Sequence, residues 1–193
     1  MKLLICSDIH GDLDSAEKMI KVMKEEECER LVLLGDILYH GPRNDLPPTY
    51  APKEVIALLN ANREKILAVR GNCDTEVDQM VLEFPILADY ACLFLGGERV
   101  YLTHGHRFDA ETPPPLCHGD LLLHGHTHLL GKWEFGDGNV CLNPGSIALP
   151  KGGNPRSYMI FEDGTFTCYS IEGEVLFTHE TESSTDKKAN QVN

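Results

Sequence analysis

Six short apolar runs, at 2-6 (KLLIC), 31-34 (LVLL), 66-70 (ILAVR), 99-103 (RVYLT), 121-124 (LLLH) and 140-142 (VCL), each give way within two residues to Asp, Gly, His or Asn. Unbroken runs of this length suit strands covered on both faces of a sheet. Between the first two, Leu13, Ala16, Met19, Ile20 and Met23 recur at helical spacing, with Asp12, Asp14 and Ser15 as candidate caps. A second helix fits 52-62, where Val55, Ile56, Leu58 and Leu59 share a face behind Pro52 near the first turn, and a shorter one fits 76-84. The order strand, helix, strand, helix, strand is that of β-α-β crossovers in a layered α/β fold.

From residue 92 the pattern changes to closely spaced strands with little helix between them: CLFL, RVYLT, LLLH, VCL, then SYMIF, TFTCYS and EVLFTH. The second half is therefore expected to add a mostly β layer, giving a two-sheet sandwich flanked by helices. Two Pro-rich loops, 39-51 and 107-119, are long enough to be functional. The 193 residues suffice for one domain with a buried core, assigned to 1-179. The polar end, 180-193, reads as a disordered tail.

Five polar clusters sit at the carboxyl ends of these runs: DIH at 8-10, GD at 35-36, GNCD at 71-74, HGH at 104-106 and GHTH at 125-128. In open α/β sheets ligands bind beyond the strand carboxyl ends, where such loops converge. Together the clusters supply Asp8, His10, Asp36, Asn72, His104, His126 and His128, a carboxylate, amide and imidazole set of the kind that holds two metal ions. Imidazole with carboxylate suits first-row metals better than calcium, and the lack of thiolate ligands argues against a structural zinc. A dinuclear hydrolytic centre needs ions roughly 3.5-4 Å apart, usually with a shared carboxylate. Extended backbone at GHTH would turn His126 and His128 to the same side.

Charge narrows the substrate. With 30 acidic against 17 basic residues, a net charge of −13 and no basic block, the chain lacks the footprint of a nucleic-acid binder. Metal ions can still supply positive charge locally, so a small phosphorylated molecule fits. Seven cysteines, an odd number without C-x-x-C spacing, read as reduced thiols. No apolar run approaches the ~18 residues that span a bilayer, and Asp8 and His10 interrupt the apolar start. The expectation is a soluble cytoplasmic protein with no membrane partner.

The order D-x-H, G-D, G-N-x-D, H-G-H and G-H-x-H resembles the calcineurin-like metallophosphoesterase superfamily. GDILYHGPRN, GNCD, NPGS at 143-146 and PKGGNP at 150-155 are similar to its small bacterial and archaeal YfcE-type phosphodiesterases. The resemblance implies a four-layer α-β-β-α sandwich of two mixed sheets flanked by helices. It implies two divalent ions, Mn²⁺ first with Zn²⁺, Fe²⁺, Co²⁺ or Ni²⁺ as alternatives. Asp8, His10 and His128 would hold one ion, Asn72, His104 and His126 the other, and Asp36 would bridge them. The implied reaction is hydrolysis of small phosphodiesters by a hydroxide held on the two ions, and the implied assembly is a homo-oligomer.

One position departs from the pattern. Many relatives carry G-N-H-[DE], where the His protonates the leaving alkoxide or orients the phosphate; here it is Cys73. A thiol with a pKa near ~8.5 is a weak donor, which leaves His106 as the alternative proton source. The catalytic candidates are thus Asn72, Cys73, His104 and His106. Arg43 and Asn44, with His40, either reach the substrate phosphate or brace their loop. Asp74 reads as a turn or cap residue, and His124 as a supporting residue at a strand end. His118 and His179 read as surface residues. Rival functions are a phosphomonoesterase, a nuclease, which the charge disfavours, and a non-catalytic scaffold of the same fold, a branch that departs at one or more of the seven ligand positions.

Overall fold

The computed structural model describes residues 1–181. Strands β1 (Leu3–Cys6), β2 (Arg30–Leu33) and β3 (Ile66–Ala68) pair in parallel. Helices α1 (Leu13–Glu25) and α2 (Pro52–Asn60) link them in turn. The sheet continues from β1 through antiparallel β9 (Ser157–Glu162), β10 (Thr165–Ser170) and β11 (Val175–Glu180). The second sheet has the order β4-β5-β6-β8-β7, built from Tyr90–Leu95, Glu98–Thr103, Leu121–Leu123, Asn139–Pro144 and Leu130–Phe135. Its β5, β6 and β8 run in parallel, with antiparallel β4 and β7 at the edges. Both sheets are therefore mixed.

The unbroken apolar runs follow from burial on both faces. In β1, Leu3 and Ile5 enter the core between the sheets beside Val32, Val100, Leu102, Leu121 and Leu123. Leu4 and Cys6 point the other way and meet Ala16, Met19, Ile20 and Met23 of α1 and Val55 and Leu59 of α2. Truncating one of these fully buried leucines would cost about 2–5 kcal/mol.

Asp12 caps α1 by accepting the Ser15 amide at 3.1 Å, and Pro52 opens α2. The helix expected over 76-84 is a single turn, α3 (Glu76–Gln79), closed at its start by a Thr75–Asp78 capping box. It ends early because Gln79 turns its side chain on the following backbone. Its amide donates to the Leu82 and Phe84 carbonyls and its carbonyl accepts from the Ile86 amide.

Among the described residues α1 and α2 pack on the first sheet. The 104-120 loop lies on the second sheet, with the Tyr101 hydroxyl donating to Pro115 and Phe108 set edge-on to Tyr90. Two further expectations change. Glu180, placed in the tail from sequence, ends β11, and the Thr181 amide donates to Gly164 at 2.8 Å. The rest of that stretch, 182-193, lies outside the described residues. Strand β7 has no counterpart in the sequence reading, because LGKWEF alternates polar and apolar residues around a glycine.

Candidate metal centre

The five clusters follow β1, β2, β3, β5 and β6, strands that run in parallel within their sheets, so their loops meet at one edge of the sandwich. The backbone there is unusual. Asp8, His10, Asp36, His126 and His128 all have left-handed φ, between 50° and 65°, which L residues other than Gly rarely adopt. Each such residue costs on the order of 1–3 kcal/mol and persists only where its surroundings fix it. His126 and His128 therefore reach the same centre from a tight left-handed turn, not from the extended backbone expected of them.

The bonds that hold these turns are visible. Asp74, buried, accepts from the Asp36 amide at 2.9 Å and the Gly71 amide at 2.7 Å with one oxygen, and from the Ile37 amide at 2.9 Å with the other. It locks the loop after β2 to the loop after β3. Those loops touch at Gly35, where a Cβ would stand 2.5 Å from the Gly71 nitrogen. Asn143 holds the 125-128 turn through Gly125 and Thr127, and Ser146 donates to the Asp8 carbonyl at 2.9 Å. At Gly125 the first and last clusters meet, and a Cβ would stand 1.8 Å from the Ser7 hydroxyl oxygen.

The imidazoles are oriented from behind. His10 Nδ1 lies 2.8 Å from the Tyr39 carbonyl, His104 Nδ1 2.7 Å from Leu34, and His128 Nδ1 2.5 Å from Leu149. A carbonyl can only accept, so each Nδ1 carries the proton and each Nε2 turns a lone pair inward. His10 and His128 Nε2 lie 3.2 Å apart. Asp8 Oδ1, fully buried and without a hydrogen bond, is 3.2 Å from His128 Nε2 and 3.6 Å from His10 Nε2. Its other oxygen accepts from Ser7 and from the His126 amide.

A second group adjoins the first. His104 Nε2 is 3.0 Å from Asn72 Oδ1 and 3.2 Å from His126 Nδ1. Asp36 Oδ2 lies between the groups, 3.4 Å from His104 Nε2 and 3.8 Å from His10 Nε2. Its Oδ1 is turned away and accepts from the Cys73 amide.

Lone pairs and carboxylates facing one another at these distances repel unless positive charge lies among them. The titration shifts register the same demand. Burial alone would raise the Asp8 carboxyl, but His10 and His128 hold it well below its ordinary value, and Asp36 is likewise lowered, chiefly by His104. His104 rises to about 9 despite burial, through Asp36 and Asp8. This donor set fits divalent cations, with imidazole, carboxylate and amide ligands and second partners already in place.

The remaining candidates separate. Asp36, Asn72, Cys73, His126 and His128 line a cleft of about 180 Å³ together with Arg43, Asn44 and Lys151. Asn44 also braces its own loop, donating to the His40 carbonyl at 2.8 Å. His40 does not line the cleft; its ring stands edge-on between Tyr39 and Tyr50. His106 packs against His104 and His126, outside the cleft lining, and burial with those two neighbours takes its pKa down to about 4. The Cys73 thiol is pushed up by burial and then by Asp36, which keeps it neutral. His124 supports the 125 turn, with Nδ1 3.0 Å from the Gly125 carbonyl, and Trp133 packs edge-on against it.

His118 is exposed, as expected, but His179 is partly buried with its Nε2 shut from solvent. Sequence reasoning passed over Lys151, Ser7 and Asn143. The only signal for Lys151 was its place in PKGGNP.

A converging set of three imidazoles, two carboxylates and a flanking amide and imidazole, beside a cationic cleft, defines the class of metal-dependent phosphoester-processing proteins. Residues 1–165 match the calcineurin-like phosphoesterase superfamily domain, and the chain belongs to that family. It is 45% identical over 176 residues to the phosphodiesterase YfcE of Escherichia coli K12, covering 91% of this chain and 95% of that protein. The solved structure of E. coli YfcE, described as a phosphoesterase, superposes with a TM-score of 0.90 at 43% identity, covering 94% of this chain and 100% of that one. Wild-type Vps29 of Entamoeba histolytica, solved with Zn²⁺, superposes at a TM-score of 0.55 with 20% identity over 94% and 100% of the two chains. That likeness speaks to the fold alone.

Proposed function

We propose that the chain is a metal-dependent phosphodiesterase that hydrolyses small phosphodiesters at a centre of two divalent ions, with Mn²⁺ the first choice. The observation that carries the reading is Asp36 Oδ2, set between His10 and His104 where one carboxylate can serve two ions. Asp8, His10 and His128 would hold one ion and Asn72, His104 and His126 the other. When bound, such ions lower the pKa of water to near neutrality and neutralise charge on a phosphoryl group.

The chain's own residues do the rest. Arg43 and Lys151 bring two cations to the cleft, where a guanidinium can grip two phosphate oxygens and an ammonium adds a point charge. Asn72 faces the same cleft and can orient a phosphoryl oxygen. Cys73, neutral and a weak donor, gives little help to a poor leaving group, so the site favours esters whose alcohol departs readily. All seven ligand positions are filled, which sets this chain apart from a scaffold that has lost them. Seven free thiols suit a reducing compartment, and no described helix is long and apolar enough to cross a membrane.

The test is a paired rate measurement with Mn²⁺, on a monoester and a diester sharing one leaving group, before and after chelation. The reading expects the diester to be preferred and both rates to vanish with chelator. A clear monoester preference would make the protein a phosphomonoesterase, and full activity in metal-free protein would sink the metal-dependent reading.

A further inference from the structure

Next to the metal cleft lies a second recess of about 340 Å³, within the roughly 300–1,000 Å³ typical of small-molecule sites. The two share one wall residue, Cys73. The recess has a different character from the cleft. The loop after β2 contributes Tyr39 and Tyr50, α2 contributes Ile56, and Val77 and Val81 come from and just after α3. Lys53, Thr75 and Asp78 supply polar groups among these apolar walls.

Several of these apolar side chains are left in solvent. Val77 is 69% exposed, and Tyr39 and Val81 are each 42% exposed. Exposed apolar surface grouped around a concavity marks a place where something binds. What covers it is indicated by its connection to the centre. The Tyr39 carbonyl accepts from His10 Nδ1, so the wall of the recess and a residue of the candidate metal centre are joined directly by one hydrogen bond. Cys73 Sγ is 3.2 Å from the Asn72 amide nitrogen, and its backbone amide holds Asp36. A phosphoryl group seated against Asn72, Arg43 and Lys151 would have one ester substituent beside Cys73, the residue that the cleft and the apolar recess share.

We infer that this recess is the leaving-group subsite, and that the substrates are phosphodiesters in which the departing alcohol is aryl or comparably apolar. The inference rests on the phosphodiesterase reading and adds the identity of the ester group. Water adds to phosphorus, the P–O bond to the aryl group breaks with its electron pair on oxygen, and the products are a monoester and the aryl alcohol or its anion. An aryl oxide leaves without a strong proton donor, which agrees with a thiol, a weak hydrogen-bond donor, at position 73. The two tyrosine rings provide aromatic faces for such a group, and edge or offset contacts between aromatic rings are favourable beyond simple burial.

The test compares phenyl methyl phosphate with 4-tert-butylphenyl methyl phosphate, whose leaving groups have nearly equal acidity but unequal apolar bulk. Wild-type protein loaded with Mn²⁺ is compared with Val77→Asp and Val81→Asp, both at solvent-exposed positions, with metal content and light scattering measured on each. The expected result is a preference of about tenfold in kcat/KM for the tert-butyl substrate, expressed mainly in KM, that falls to about one in the variants. Turnover of both diesters with no preference, or a preference that survives both substitutions, overturns the subsite. Failure of the metal-loaded wild type to cleave either diester overturns the phosphodiesterase reading itself. A change of oligomeric state in the variants with the preference unmoved would show that the recess is a self-association surface, which also overturns the inference.

Discussion

Replacing Asp74 tests how the centre is held. Its two oxygens accept three buried backbone amides, from Asp36, Ile37 and Gly71, at 2.7–2.9 Å. Asp74→Ala removes both acceptor oxygens and leaves all three amides without their partner. A buried amide left without a partner costs about 1–3 kcal/mol, and the three lie close enough to relax together, so the expected loss is about 3–5 kcal/mol. That is a large share of the roughly 5–15 kcal/mol that stabilises a typical domain. For a chain of this size it lowers Tm by on the order of 10 °C. Asp74→Asn keeps one acceptor oxygen but turns an amide group toward a backbone donor, and should cost about 1–3 kcal/mol.

Denaturation should be followed in chelator, so that bound ions do not mask the loss, and at pH 8, because burial with the charge of Asp36 raises the Asp74 carboxyl to about 6. Asp36 then loses its fixed position, and metal affinity should fall with stability. An alanine variant within about 1 kcal/mol of wild type, with unchanged metal affinity, would refute the claim that Asp74 holds the bridging carboxylate in place.

Three further outcomes are expected. His179, partly buried on β11 with Lys132 nearby, has its pKa lowered to about 4, so its neutral form is favoured in the fold. Its contribution is intact above about 6.5 and is lost as pH falls from there through 4; His179→Phe should flatten that part of the stability–pH curve measured by denaturation. Gly125→Ala should lower metal affinity at least tenfold by calorimetry, since the new Cβ would stand 1.8 Å from Ser7 Oγ and 2.6 Å from Asp8 Oδ2. Lys151→Ala should raise KM for a diester about tenfold with metal content unchanged, as loss of a charge-assisted phosphate contact does; a variant whose only defect is in metal binding would reassign the residue.

Much of this site was legible because each element of it carries a local signature. The runs LLIC and LVLL are apolar on both faces because one face meets α1 and α2 and the other meets the second sheet. The polar clusters stand out because carboxylates and imidazoles seldom end a buried strand without a use. What escaped the sequence lies in long-range geometry. Lys151 reaches the cleft from a loop far along the chain, and nothing about a lysine beside two glycines announces it. Strand β7 was missed because an edge strand needs only half its residues apolar. His106, two residues from His104 in sequence, packs against its ring and does not line the cleft. The left-handed backbone at five of the seven positions proposed to hold metal has no compositional signal, since those positions are Asp and His where Gly would be the easy choice.

Metal stoichiometry tests the central claim most directly. Protein stripped with chelator, reloaded with Mn²⁺ and freed of excess ion should hold two ions per chain by elemental analysis, with Asp36→Ala losing at least one of them and essentially all phosphodiesterase activity. One ion per chain in fully active wild-type protein would contradict a dinuclear centre bridged by Asp36.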